Sequence, residues 1–356
     1  MSEHIQAVER FARPTELRIL HVVSFEDAAF FREQIDELES RGITCDVVAG
    51  VPSDDGSERD GKFGLLSSLL KRFTPPSGHN VRFYAYNASR CYPKLLSTTL
   101  QNEYDLIHVN SGLMAPFGLL QPQKPVFISF WGSDLLGGYM GGLFPHVSKL
   151  CARFSHANIV MSQEMADELN GTDCYVIPHG VDTDKFRPMD RETAIERVGW
   201  NEEQRNVLFP YNPKREEKNV DMARAVVAEV NERMDTDVSL QVVYTVPHEE
   251  MPFYMNGADL MLVTSDHEGF PNTVKEALAC NLPIVSRDVG DVEMRLRAVE
   301  NTYVCTSFEE LVDRTEAVLR SNRRSDGRSH IRDLGKEHMG ERLLEVYDDV
   351  VSEYRR

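Results

Sequence analysis

Two glutamates with seven residues between them, Glu268 and Glu276, bracket the stretch Glu268-Gly269-Phe270-Pro271-Asn272-Thr273-Val274-Lys275-Glu276. The run ahead of them, Leu260-Met261-Leu262-Val263-Thr264, reads as a parallel strand covered on both faces, which puts Glu268 just past a strand's C-terminal end. Gly269 and Pro271 interrupt regular structure. A helical pattern then begins near Asn272, with Val274, Ala277 and Leu278 apolar and Lys275 and Glu276 polar between them. The first amides of such a helix lack intrahelical partners and carry the positive end of its dipole, so they stabilise a phosphate lying against the helix start. An ionised carboxylate only accepts hydrogen bonds, which suits it to vicinal hydroxyls. The arrangement fits a ligand bearing both phosphate and hydroxyl groups. Two solvated acids flanking a turn would look the same in isolation.

Three more segments raise the pattern above that alternative: Val176-Ile177-Pro178-His179-Gly180-Val181-Asp182 with Phe186-Arg187-Pro188, Asn212-Pro213-Lys214-Arg215-Glu216-Glu217-Lys218-Asn219, and Trp131-Gly132-Ser133-Asp134-Leu135. With the glutamate pair and the following Ala279-Cys280-Asn281-Leu282-Pro283-Ile284-Val285, the chain resembles the GT4 family of retaining glycosyltransferases, from about residue 105 to 297. The resemblance implies a GT-B architecture, two Rossmann-like doubly wound α/β domains facing across a cleft. It also implies a nucleotide diphosphate sugar as co-substrate, no other cofactor and no metal. Under it Glu276 holds the ribose and Glu268 the donor sugar, while Gly269, Phe270, Pro271, Asn272 and Thr273 line the sugar and diphosphate.

Arg215 and Lys218 follow the second half's first strand and precede a helix beginning near Asn219, and their expected task is to hold the diphosphate and stabilise the charge growing on it. The family's arginine usually stands five residues before the lysine; here the spacing is three and Pro213 occupies that place. Lys214 competes for the role, and a solvated charge run with internal ion pairs would leave neither cation in a site. On the acceptor side, His108-Val109-Asn110 and Trp131-Gly132-Ser133-Asp134 follow apolar strands of the first half. Relatives often carry histidine at position 131. Either Trp131 offers a stacking face to a sugar ring, or His108 supplies the polar contact, with Asn110, Gly132 and Asp134 beside them. A buried aromatic and a satisfied core histidine are the plainer alternatives, the second favoured for His108 and the first not favoured for Trp131.

The elements needed to position these residues are visible as alternating strands and helices. A first series starts with Leu17 to Val23 and a helix from about Phe30 to Arg41, whose Phe31, Ile35 and Leu38 recur at helical spacing before Gly42. It continues through strands near 44–49, 105–109, 125–130, 157–161 and 174–177. A second opens at Val207-Leu208-Phe209, with strands near 239–244, 259–264, 283–286 and 302–305. Asp182 to Asp190 reads as a linker. The expected domains are therefore 1–185, binding acceptor, and 190–335, binding the nucleotide sugar, followed by a terminal helix at 336–356 that packs back on the first domain. No internal sequence repeat is evident.

The 356 residues exceed what one core usually holds. A net charge of -18 argues against a nucleic-acid partner. Neither a signal peptide nor an apolar run of membrane-spanning length stands out, and the six cysteines show no metal-ligand spacing, so they read as reduced thiols of a cytoplasmic protein. Residues 62–73 carry an apolar stripe, Phe63, Leu66, Leu70 and Phe73, with basic ends. Core packing is its simpler fate, and contact with the inner membrane surface, bringing a lipid-linked rather than a free saccharide acceptor, is the other. An epimerase or phosphorylase on a similar scaffold, or a non-catalytic nucleotide-sugar-binding regulator, would share the binding residues. Base and sugar are not legible.

Acidic residues are spread throughout the chain while lysines number only ten, a pattern compatible with a high-salt cytoplasm, where repulsion is screened within about 3 Å at 1 M. Under that reading turnover rises from dilute to molar salt; an activity maximum in dilute buffer excludes it.

Overall fold

The computed structural model describes residues 17–25, 28–51, 87–136, 143–266, 268 and 271–356. The apolar stripe at 62–73, Gly269 and Phe270 lie outside them. The chain forms two compact units. Unit 1 comprises Met1–Val160, Glu168–Tyr175 and Gly340–Arg356, and unit 2 comprises Met161–Asp167 and Val176–Met339.

Eleven strands are found among the described residues: β1 (Arg18–Phe25), β2 (Thr44–Val51), β3 (Leu106–Asn110), β4 (Val126–Ser129), β5 (Ala157–Val160), β6 (Tyr175–Val176), β7 (Arg205–Phe209), β8 (Val238–Val242), β9 (Leu260–Val263), β10 (Ile284–Arg287) and β11 (Tyr303–Cys305). Each strand expected from the apolar runs is present, with ends displaced by no more than two residues. β3, β4, β5 and β9 are buried at every position, because helices cover both faces of a parallel sheet.

The first sheet has the order β2-β1-β3-β4-β5-β6 and the second β11-β10-β9-β7-β8. Counted from its own first strand, the second sheet repeats the order of the first. In each, the chain leaves the first strand, adds the second on one side, and returns to place the third on the other. That reversal is where two neighbouring strand ends diverge and leave a crevice for a ligand. In unit 2 it falls between β7 and β9, whose register pairs Val207 with Leu260 and Leu208 with Met261.

Local sequence accounts for the helices. Val220–Arg233 presents Ala223, Val226, Val227 and Val230 at helical spacing to the core, and Asn219 starts it from a left-handed conformation while accepting a hydrogen bond from the Met222 amide at 3.3 Å. In unit 1 the helix Ala29–Ser40 ends before Gly42, whose φ of +87° suits a residue without a side chain. Its buried face includes Phe31, Gln34 and Leu38, so the stripe turns slightly away from Ile35.

One expectation is corrected here. The polar stretch Asp182 to Asp190 is no free linker, because Phe186 is fully buried in the unit 2 core with Met251 and Met255. Burying such a ring contributes roughly 1.5–3 kcal/mol. Asp182 accepts from Lys336 at 2.7 Å, and the Arg328 guanidinium donates to the carbonyls of Thr183 and Phe186 at 2.8 Å each.

In unit 1 the middle of β3 is polar yet inaccessible. His108 is fully buried, with Nδ1 2.6 Å from the Tyr347 hydroxyl and Nε2 2.7 Å from the Ser129 hydroxyl. Tyr347 belongs to the C-terminal helix Lys336–Tyr354, whose residues from Gly340 onward are part of unit 1. Asn110 is equally buried: its amide lies 3.0 Å from His21 Nδ1 and donates to the His108 carbonyl at 3.1 Å, and its oxygen accepts from Gln34 at 3.0 Å. The structure places both in the core, His108 as the satisfied core histidine of the plainer reading, and their polar atoms make a buried sheet tolerable. Tyr347→Phe should lower stability by about 1–3 kcal/mol, by leaving His108 short of a partner. Thermal melting measures this, and an unchanged melting temperature would contradict it.

Candidate active site

The site is built from the loops that leave β7 and β9, the two strands at the reversal of the unit 2 sheet. After β7 the chain passes Tyr211, which is 6% exposed, and reaches the short turn Glu216–Lys218. After β9, Thr264 donates its hydroxyl to the backbone carbonyls of Lys218 and Asn219 at 3.0 and 2.9 Å, and the Asp266 amide donates to the Glu217 carbonyl at 2.9 Å. These bonds stitch the two loops together.

The stitching delivers Lys218 Nζ onto Glu268 Oε1 in a direct ion pair, with the lysine side chain 5% and the glutamate 12% exposed. Ser265 donates to the same carboxylate oxygen at 2.7 Å. The ammonium also lies over the face of the Tyr211 ring, 4.3 Å from its centroid. Burial pulls the Lys218 pKa below the usual lysine range, and the charge of Glu268 opposes that fall. The Tyr211 phenol is driven well above its ordinary range by burial first and then by the negative charge of Glu268; Glu276 adds to the effect, so this ring feels both carboxylates.

The helix Asn272–Ala279 carries the second glutamate. Glu276 Oε1 is 2.9 Å from His248 Nε2, and the His248 ring packs on Phe186 at 5.2 Å between centroids. Thr273, in the helix's first turn, shares a 2.7 Å hydrogen bond with the Tyr211 hydroxyl. Pro271 stands at the N-cap, and the Asn272 side chain accepts from Lys275 Nζ at 2.9 Å. Lys218, Glu268, Glu276 and Thr273 thus surround one tyrosine, beside the positive end of a helix. Such a constellation can take a diphosphate on the cation and the helix amides, and hydroxyl groups on the carboxylates.

Other sequence candidates separate from this group. Arg215 is 55% exposed and bonded to Glu217 at 2.7 Å, so the internal pairing of the charge run is real for it, although its charge still reaches Lys218 and Tyr211. Lys214 is exposed as well. In unit 1 Asp134 is 2% exposed and accepts from the amides of Trp131 and Gly112 at 2.8 Å each. Burial raises its pKa to about 6 against the pull of those two bonds. Its observed work is to clamp the loops after β3 and β4. Trp131 is partly exposed and meets Phe30 edge-on at 4.8 Å, and Gly132 turns the loop with φ +35°.

Comparison with known proteins bears on the family and the fold. Residues 28–185 match the Glycosyltransferase Family 4 model and residues 223–321 the Glycosyl transferases group 1 model. A curated relative from Bacillus subtilis (strain 168), TuaC, bears the name of a teichuronic acid biosynthesis glycosyltransferase. It is 28% identical over 313 residues, covering 75% of this chain and 78% of its own. Together these matches show a glycosyltransferase of the GT4 and GT-B type. Among solved structures, sucrose-phosphate synthase from Thermosynechococcus elongatus superposes with a TM-score of 0.68 at 17% identity, over 95% of this chain and 100% of the other. Anabaena HepE in complex with UDP and glucose gives 0.65 at 15% identity, over 94% and 100%. These likenesses concern the fold, which is the GT-B type, two parallel-sheet α/β units.

Four residues of this glycosyltransferase's site escaped sequence reasoning. Tyr211 and Ser265 each lie two residues beyond a strand, a position that marks them as candidates once the strands are known. His248 is joined to Glu276 only by the fold. Lys275 sits in an apparently polar gap of the helix pattern, whereas every residue from Val274 to Ala279 is buried and Lys275 is 1% exposed. Its amine donates to the His179 carbonyl at 2.7 Å as well as to Asn272. Among the described residues no helix is long and apolar enough to cross a membrane, and all six cysteines are free.

Burial lowers the Lys275 pKa to about 7, with Glu276 opposing and Arg295 assisting. Between pH 7 and the usual lysine range near 10.4 the unfolded chain then binds more protons than the folded one, so the contribution of this group to stability rises with pH. Wild type should gain melting temperature relative to Lys275→Met as pH goes from 7 to 9; parallel curves for the two proteins would show that Lys275 stays charged in the fold.

Proposed function

We propose that this glycosyltransferase moves a hexose-type unit from a UDP-sugar to a hydroxyl of a saccharide acceptor, with retention of anomeric configuration and without a metal. The single observation that carries the donor assignment is the buried Lys218–Glu268 pair beside the N-terminus of the helix bearing Glu276. Lys218, with Arg215 at the rim, stabilises the diphosphate as the glycosidic bond breaks, and an aligned donor of this kind is worth roughly 3 kcal/mol in a barrier. The helix amides from Asn272 onward add their partial positive charge to the same leaving group. Glu268, beside that cation, accepts from a hydroxyl of the donor sugar. Glu276, oriented by His248, accepts from the ribose.

Among the described residues of the site none stands out as a nucleophile or dedicated base, since Glu268 is paired with Lys218 and Glu276 is bonded to His248. A same-face substitution suits this arrangement. As the leaving phosphate departs, its oxygen takes the proton of the attacking acceptor hydroxyl, and the protein's part is to hold the two in contact. Uridine as the base is supported by the bound nucleotide in the HepE structures, and a saccharide acceptor in glycan synthesis by the name of the Bacillus relative. Gly269, Phe270, Trp131 and Gly132 complete the proposed substrate contacts.

Incubation with a panel of nucleotide sugars, following nucleotide release with and without a membrane-lipid extract, identifies donor and acceptor class, and NMR of the product's anomeric proton reads the stereochemistry. Glu268→Gln should lower kcat about 100-fold or more while UDP affinity changes far less, and Glu276→Ala should weaken UDP binding by about tenfold. Wild-type turnover in Glu268→Gln, or an inverted product, would overturn the assignment.

A further inference from the structure

Tyr211 stands between the two halves of the donor site, and its surroundings hold it from three directions. Phe209, fully buried at the end of β7, meets it nearly perpendicular at 5.2 Å between ring centroids. Its hydroxyl is 2.7 Å from the Thr273 hydroxyl, in the first turn of the eight-residue helix Asn272–Ala279. Its face lies under the Lys218 ammonium at 4.3 Å. A ring quadrupole attracts a cation over its face, and the attraction grows where water is excluded, as it is around a lysine with 5% of its side chain exposed. The ring also blocks one side of the ammonium, which leaves the side facing Glu268 for its hydrogen bonds.

We propose that Tyr211 is a positioning residue of the donor site: its ring supports Lys218 beside Glu268 while its hydroxyl holds Thr273, so that the cation and the helix N-terminus address one diphosphate. The proposal rests on the donor-site reading given above. It assigns the two ends of one side chain to different jobs. Phenylalanine at this position keeps the platform and loses the tether; leucine loses both.

UDP binding by calorimetry separates these jobs. Tyr211→Leu should weaken binding about tenfold, in keeping with a desolvated cation over an aromatic face plus one hydrogen bond, and Tyr211→Phe about threefold. In a Lys218→Ala background the loss on going to leucine should shrink to that of the phenylalanine variant, because the ring then has no cation to support. In a Tyr211→Phe background Thr273→Val should cost about threefold less than it does in the wild type, since the tether is already gone. With UDP-sugar as substrate, the aromatic variant should recover most of the kcat that leucine loses. Equal losses on leucine substitution in the presence and absence of Lys218 would reduce Tyr211 to packing and overturn the proposal, as would wild-type affinity in Tyr211→Leu. Should the leucine variant fail to fold, the Tyr211→Phe and Thr273→Val cycle decides by itself, additive losses counting against the tether and hence against the proposal. The donor-site reading fails separately, if Lys218→Ala and Glu276→Ala both bind UDP as tightly as wild type.

Discussion

A lysine and a glutamate held together out of water are the constraint on which unit 2 is arranged. Removing an ammonium or a carboxylate from solvent costs several kcal/mol after relaxation, and the cost is offset only when the partner and further polar contacts are in place. Lys218 finds Glu268 and the Tyr211 face; Glu268 finds Lys218 and Ser265. Those contacts require the loop after β7 and the loop after β9 to meet, and the hydroxyl of Thr264, bonded to two carbonyls of the opposite loop, holds them there. The pair is thus a poor source of net stability and a strict condition on geometry.

The same topology is used differently in the two units. Both sheets reverse direction after their second strand, yet the polar residues near the reversal in unit 1, His108 and Asn110, lie within β3, where a covered parallel sheet leaves no solvent. They hydrogen-bond each other's surroundings and become part of the core. In unit 2 the chemistry-bearing residues come after the strands, on loops and at a helix start, where side chains turn toward the open end. A shift of a few residues along the chain, from within a strand to just past its end, separates a core polar group from a ligand-facing one.

Polar groups that tie segments together recur in both units. Lys275 ties the helix of Glu276 to the His179 carbonyl, His248 fixes one oxygen of Glu276, and in unit 1 Asp134 joins two loop backbones. Lys275 and Asp134 are hydrogen-bonded exceptions to the rule that charged residues stay outside.

Strand and helix positions were legible in the residues because parallel strands are continuous apolar runs and amphipathic helices repeat every three to four residues, and both patterns are local. The glutamate pair and its spacing were legible for the same reason, since the two residues share one loop and one helix. What the residues alone did not contain was the strand order. Only the placement of β9 beside β7 turns Lys218 and Glu268, fifty positions apart, into an ion pair, sends Arg215 to the rim while Lys218 goes inward, and makes Tyr211 their common support. Burial was equally hidden for Lys275 and Phe186, because whether a polar or linker-like residue is covered depends on what the rest of the chain lays over it, a long-range fact that no window of sequence encodes.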